Sequence, residues 1–457
     1  MRLARNLLIA IATILPFVGG GVAVAQSFED ALMRMLAEHP RIRAAEQGLS
    51  AVDEGIRQAR AAFLPQVSLS ADHGYEYIDS PDRREDPGDP SSLSRTKGTL
   101  TATQNLFSGF ENTATFEISK LDTRRAQLIL ERARQSLTLD AIRAHNTVTR
   151  DSLLVQLATL SERTIARQLN LEDERVERGS GIAVDVLLAK TRLQLAKEQR
   201  VAFEGGLIEG ITRYEQVFGV SPATGELTSI DVPPSTLPRT LPETRDSALE
   251  ENIDLKVAGN RVSAASERED VAQSGFYPSV DLVGSTNFEK NVNTNRGIRR
   301  DYSVLLRVNW ELFAGFRNEA VAAGAAFEKA AAIATEADIR RTVEEDIGIS
   351  WQALKTAEER SGLLRNASSI AREVFEARQK LRAAGNDTAI NVLDAETEVF
   401  NARIKQVRAE FDARLARAQL LFSMGQLTPA NLFDPQPQNG SLIDDQEHTE
   451  TRDTAAR

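Results

Sequence analysis

The 457 residues suffice for two or three ordinary domains, or for one large fold made of two similar halves. A formal net charge of -11 with 26% charged residues describes a solvated acidic surface and argues against nucleic-acid binding, which needs clustered Lys and Arg. The lack of cysteine excludes disulfide staples and a lipid carried on an N-terminal cysteine, so packing or assembly must stabilise the chain.

The chain opens on Arg2 and Arg5, an apolar run from Leu7 to Val18, and Ala23-Val24-Ala25 before Gln26. This pattern predicts a secretory signal over 1–25, with Gln26 as the first mature residue. Beyond it no uninterrupted apolar stretch of about 18–20 residues remains, so any membrane crossing falls to strands. From Ser27 to Phe63 the composition is rich in Ala, Arg and Glu, with Ala31, Met35, Ile42, Ala45 and Leu49 at helical spacing.

At Pro65 the period changes to two. Val67, Leu69, Ala71, Tyr75 and Tyr77 alternate with polar residues, and a second run places Gly98, Leu100, Ala102 and Leu106 against Thr99, Thr101, Thr103 and Asn105. Later come Val280, Leu282, Gly284 and Phe288, then Tyr302, Val304, Leu306, Val308, Trp310 and Leu312, where only Leu305 breaks the polar face. Such alternation also suits a strand on a soluble core. Runs of about ten residues with aromatics at their ends, and no neighbouring globular layer to cover them, favour membrane strands. Four strands are too few to close a barrel, so the chain must associate, as two, three or four copies.

From about Glu111 to Val176 there is neither Pro nor Gly, enough for a helix about 100 Å long. A heptad seam over Leu393, Thr397, Phe400, Ile404, Val407 and Phe411 requires long helices to run side by side. Two glycine turns, around Gly179-Ser180-Gly181 and Gly385-Asn386-Asp387, make hairpin tips remote from the strands.

The chain repeats itself. "QNLFSGFEN" at 104–112 returns as "WELFAGFRN" at 310–318, an offset of 206 that also lays "RGSGIAVDVLLAKT" (178–191) on "AGNDTAINVLDAET" (384–397). "AFLPQVSL" (62–69) and "GFYPSVDL" (275–282) align at 213, the difference absorbed by a shorter loop. In each "LF-small-GF" phrase, Phe107 and Phe313 are placed in an interfacial aromatic belt, while Gly109 and Gly315 turn the backbone from strand to helix. Organisation follows as a first repeat over 26–220, a Pro-rich extended connector over 221–245, a second repeat over 246–434, and a disordered acidic tail over 435–457.

This order of duplicated units, each with helix, two strands and a long helical hairpin, resembles the TolC family of outer-membrane efflux and type I secretion channels over roughly 27–434. The resemblance implies a mixed α and β fold in which four transmembrane strands per protomer contribute to a trimeric 12-strand barrel, continued by a long α-helical coiled-coil tunnel in the periplasm. It also implies a homotrimer in outer-membrane lipid, tips that contact a periplasmic adaptor protein, and an inner-membrane pump, ABC or proton-driven. An unlipidated mature end and compact strand loops lean toward polypeptide secretion over drug efflux. By position, the pore aperture falls on Asp185, Asn391 and Asp394, and three copies of Asp394 would form a negative ring. The sequence departs from the family where Asn391 takes a usually acidic place and Asp387 a place where a basic latch residue can occur. Each of these residues has an ordinary alternative role as a helix cap or solvated surface group.

His39, His73, His145 and His448 are scattered, and no metal-ligand spacing, nucleophile motif or phosphate loop accompanies them, so no enzyme, cofactor or metal is expected. The remaining rival, a non-conducting periplasmic coiled-coil scaffold or tether, leaves the four alternating runs unexplained.

Overall fold

The computed structural model describes residues 28–85, 91–222 and 227–433; the expected signal (1–25) and acidic tail (435–457) lie outside them. The N-terminal helical segment divides into α1 (Phe28–Glu38) and α2 (Pro40–Ala61), because Pro40 starts a new helix that His39 caps by accepting the Arg41 N–H. Strand β1 (Gln66–Tyr77), a short α3 (Pro81–Glu85), β2 (Ser92–Ser108) and two long helices, α4 (Glu111–Glu177) and α5 (Ala183–Phe218), complete the first unit. The second contains α6 (Leu241–Glu251), α7 (Ile253–Gln273), β3 (Ser279–Lys290), β4 (Ile298–Asn309), α8 (Arg317–Ala383), α9 (Ala389–Ser423) and α10 (Pro429–Phe433).

Both offsets reappear in the elements. Helices α4 and α8 are each 67 residues and begin at 111 and 317; α5 and α9 begin at 183 and 389; β1 and β3 are each 12 residues and begin at 66 and 279. The connector ends earlier than expected. A capping box between Thr240 and Glu243, with Pro242 in the first turn, starts α6 at Leu241, so the last five connector residues are helical. The preceding segment is bound to α4: the Asn146 amide exchanges hydrogen bonds with the Ile230 backbone, both at 3.1 Å, and His145 Nε2 donates to the Thr228 carbonyl at 2.7 Å.

All four strands form one antiparallel sheet in the order β1-β2-β3-β4, so the repeats meet through β2 and β3. One face carries the apolar alternation; the other carries a polar ladder in which Thr99 donates to Asn287 and Asn287 to Asp301, both at 2.8 Å. Leu305, the exception on the polar face, lies directly across from buried Val283. Strict alternation in β2 fails at Leu106, where a bulge between Asn105 and Phe107 brings Phe107 opposite Val280. Strand β4 stops at Asn309, before Trp310 and Leu312.

The main core lies where α1, α2, α4, the end of α5, the connector and the last turns of α9 meet, around Leu32, Ile42, Leu137, Ile142, Leu421 and Leu427. Each such fully buried side chain contributes about 1.5–3 kcal/mol. Smaller clusters continue along the hairpins to Ile165, Leu169, Val186, Ala189 and Leu393 near the tips. No described helix is long and apolar enough to cross a membrane.

Candidate functional site

Two regions carry the predicted site residues. At the strand-to-helix turns, Gly109 (φ 64°) and Gly315 (φ 61°) adopt the left-handed region, and so do the phenylalanines that follow, Phe110 (φ 73°) and Phe316 (φ 64°). This double left-handed step folds the second Phe back on the first: the Phe107 and Phe110 rings lie 5.3 Å apart at 87°, and the Phe313 and Phe316 rings 5.5 Å apart at 87°. The repeated phrase therefore encodes an edge-to-face aromatic pair as well as a turn. The shared Asn anchors each turn, Asn112 donating to the Asn105 side chain at 2.9 Å and Asn318 to the Gly275 carbonyl at 2.7 Å.

At the far end, α4 and α8 close in the same way. Gly179 (φ 75°) and Gly385 (φ 81°) donate to the carbonyls of Val176 and Arg382, while Ser180 and Asn386 donate to those of Arg175 and Leu381. These are paired Schellman closures, in which only glycine takes the left-handed residue without strain. Gly181 is required for space instead, since a Cβ there would lie 2.7 Å from the Val176 backbone nitrogen.

Asp387, at the position equivalent to Gly181, organises the second tip. One of its carboxylate oxygens accepts from the Asn391 amide (2.6 Å) and the Thr388 N–H (2.8 Å), and the other faces Arg378 at 3.3 Å. The Asn391 amide, then the Thr388 N–H and Arg378, hold the Asp387 carboxyl below its usual range. The departures at 387 and 391 are thus one paired feature.

Of the predicted aperture residues, Asp185 and Asn391 occupy matching third positions of α5 and α9, and Asp394 is exposed one turn further on. Asp394 is not a free carboxylate: Arg192 of the first hairpin donates to it at 2.8 Å. Sequence reasoning missed this tie and two others across the hairpins. The Arg382 guanidinium lies 2.8 Å from buried Glu172, and the Ser161 hydroxyl donates to Glu396 at 2.9 Å. Glu396 is buried beside a cavity of about 120 Å³ lined by Arg192, Gln199 and Phe400; one of its carboxyl oxygens has no partner among the described residues, and burial pushes its pKa up. A signal for the Glu172 tie exists in the repeat, where Glu172 aligns with Arg378 and Val176 with Arg382, so the first arm carries an acid and the second two bases at these equivalent positions.

The tip region is therefore a junction of two hairpins held by three polar ties, each linking one repeat to the other. The description "Outer membrane efflux protein" fits residues 31–210 and 244–426, once for each repeat. Full-length similarity extends to the outer membrane efflux protein BepC of Brucella suis, 24% identical over 90% of this chain and 88% of that protein. It extends also to the alkaline protease secretion protein AprF of Pseudomonas aeruginosa, 25% identical over 90% and 86%. Among solved structures, VceC from Vibrio cholerae superposes with a TM-score of 0.75 over 87% of this chain and 96% of that one at 17% identity, and CusC with 0.77 over 88% and 92% at 13%. With the family pattern matched in both repeats, over residues 31–210 and 244–426, this protein belongs to the outer membrane efflux protein family.

Proposed function

We propose that three copies of this chain form an export channel spanning the outer membrane and periplasm, and that the hairpin tips dock a periplasmic adaptor coupled to an inner-membrane pump. The observation that carries this reading is the sheet. Its edges β1 and β4 have no partner strand among the described residues, and its apolar face is open, with Val67, Leu69, Tyr302, Val304 and Leu306 exposed. Twelve-residue strands tilted by about 40° rise about 30 Å, the thickness of a bilayer's hydrocarbon core. Unpaired edges are not tolerated in lipid, and closure by three copies gives twelve strands. Exposed apolar side chains along α8, including Phe327, Ile349, Leu363 and Ile370, supply a surface for neighbouring protomers.

The aperture is assigned to the tip junction, with Asp394 partly neutralised by Arg192. The relatives include a protease secretion protein and an efflux protein; we infer polypeptide secretion or drug efflux as the transport class. The test is the mass of the protein extracted from purified outer membranes, by light scattering corrected for bound detergent. Three copies per particle are expected. A monomer in the soluble periplasmic fraction would refute the channel and leave a coiled-coil scaffold.

A further inference from the structure

The apolar face of the sheet is not uniformly neutral. Read through the strand register, the described residues on this face include no Asp or Glu, and two cations, Lys290 and Arg300. Both sit at the end away from the helices: Lys290 closes β3, and Arg300 is the third residue of β4. Arg300 lies directly across from Phe288, with its guanidinium 5.7 Å from the ring centroid, and Lys290 is diagonal to it across the strand pair, about 7–8 Å away by sheet geometry. Two residues further along β4 Tyr302 stands fully open, followed by the apolar run Val304, Leu306 and Val308.

On the opposite face the cations at the same level are matched. Arg95 pairs with Asp72 (2.7 Å) and Glu76 (3.0 Å), Lys97 with Glu289 (3.1 Å) and Arg299 with Asp301 (3.4 Å). Lys290 and Arg300 have no such carboxylate among the described residues. Unmatched charge on a lipid-facing surface is costly unless an anion meets it at the boundary, and long cationic side chains reach to that boundary. In the strand register the exposed rings on this face lie on both sides of the two cations, Tyr302 nearer the helices and Tyr75 and Tyr77 farther out, so Arg300 and Lys290 fall within the aromatic band that marks the boundary.

We propose that Arg300 and Lys290 form a binding site for the phosphate groups of a phosphorylated glycolipid in the leaflet next to the 291–297 turn. Arg300 grips a phosphate oxygen pair, Lys290 supplies a second point charge, and Phe288 holds the guanidinium plane. The site rests on the proposed membrane-spanning function, because that reading makes this face lipid-facing and points the 291–297 turn outward.

The test uses the full-length assembly in a neutral maltoside detergent, titrated with diphosphoryl lipid A or its dephosphorylated counterpart, with retained lipid counted by native mass spectrometry. Wild type is expected to retain the diphosphoryl form at least tenfold more tightly. R300Q/K290Q is expected to abolish this preference, and R300K/K290R and K97Q to keep it. Equal retention of both lipids by wild type overturns the site without any variant, as does a preference undiminished in R300Q/K290Q. Fractionation of the same cells separates the two readings: wild type in the outer membrane with equal retention overturns this site alone, whereas a chain missing from the outer membrane overturns the channel and the site with it.

Discussion

Gly109 and Gly315 hold equivalent places in the two repeats, yet the structure demands different things of them. Both have positive φ, so alanine at either position carries the left-handed penalty of about 1–2 kcal/mol. At Gly315 nothing in the same chain lies within 4 Å of an added Cβ, and in the isolated chain G315A should cost no more than that. At Gly109 the Cβ would stand 2.7 Å from the Ser274 carbonyl oxygen and 2.9 Å from the Tyr277 Cβ, so the main chain must shift. Overpacking of that kind adds about 1–3 kcal/mol, which brings G109A to about 2–5 kcal/mol per protomer. The assay is the unfolding midpoint of the single chain in detergent, at a dilution that keeps the copies apart, expected in the order wild type, G315A, G109A. Y277A should not rescue G109A, because alanine retains the offending Cβ. A G315A midpoint at or below that of G109A, or rescue by Y277A, would refute the steric argument.

Three further outcomes follow from the tip junction. R192Q should unmask Asp394 and strengthen block of the reconstituted channel by multivalent cations, while D394N should weaken it; equal block in both would remove Asp394 from the aperture. R382A leaves the Glu172 carboxylate buried with Arg175, 3.3 Å away, as its one remaining cation among the described residues, and should destabilise the hairpin junction by about 3 kcal/mol, read as faster amide exchange at the ends of α4 and α8. Unchanged exchange would show that the tie carries no stability. Because burial raises the Glu396 pKa in the folded chain, the native state holds its proton to higher pH than the unfolded chain. Stability linked to this group is therefore fully present below the unfolded pKa of about 4.3 and is lost as pH rises through the raised folded value. E396Q should flatten that part of the profile and raise the thermal midpoint at neutral pH; a profile identical to wild type would refute the assignment.

The features legible in the sequence are those whose cause is local. A residue forced to positive φ calls for glycine whatever surrounds it, so Gly109, Gly179, Gly315 and Gly385 announced their turns. The absence of Pro and Gly from 111 to 176 announced α4, and an alternation of period two announced the strands. Duplication amplified these signals because each appeared twice at a fixed offset. Features made by contact between distant segments were not legible. Arg192, Glu172 and Arg382 are ordinary letters on charged helices until packing sets them beside Asp394 and one another. The aromatic pair within each "LF-small-GF" phrase required two successive left-handed residues, the second of them a phenylalanine, which local preference alone disfavours. The bulge at Leu106 and the bonds of His145 and Asn146 to the connector likewise depend on a partner strand or segment. Backbone conformation is dictated residue by residue, so the sequence by itself determined the turns, the strands and the length of the helices. Which charges meet across the hairpins depends on the rotation of each helix about its axis, and only the tertiary packing decided that.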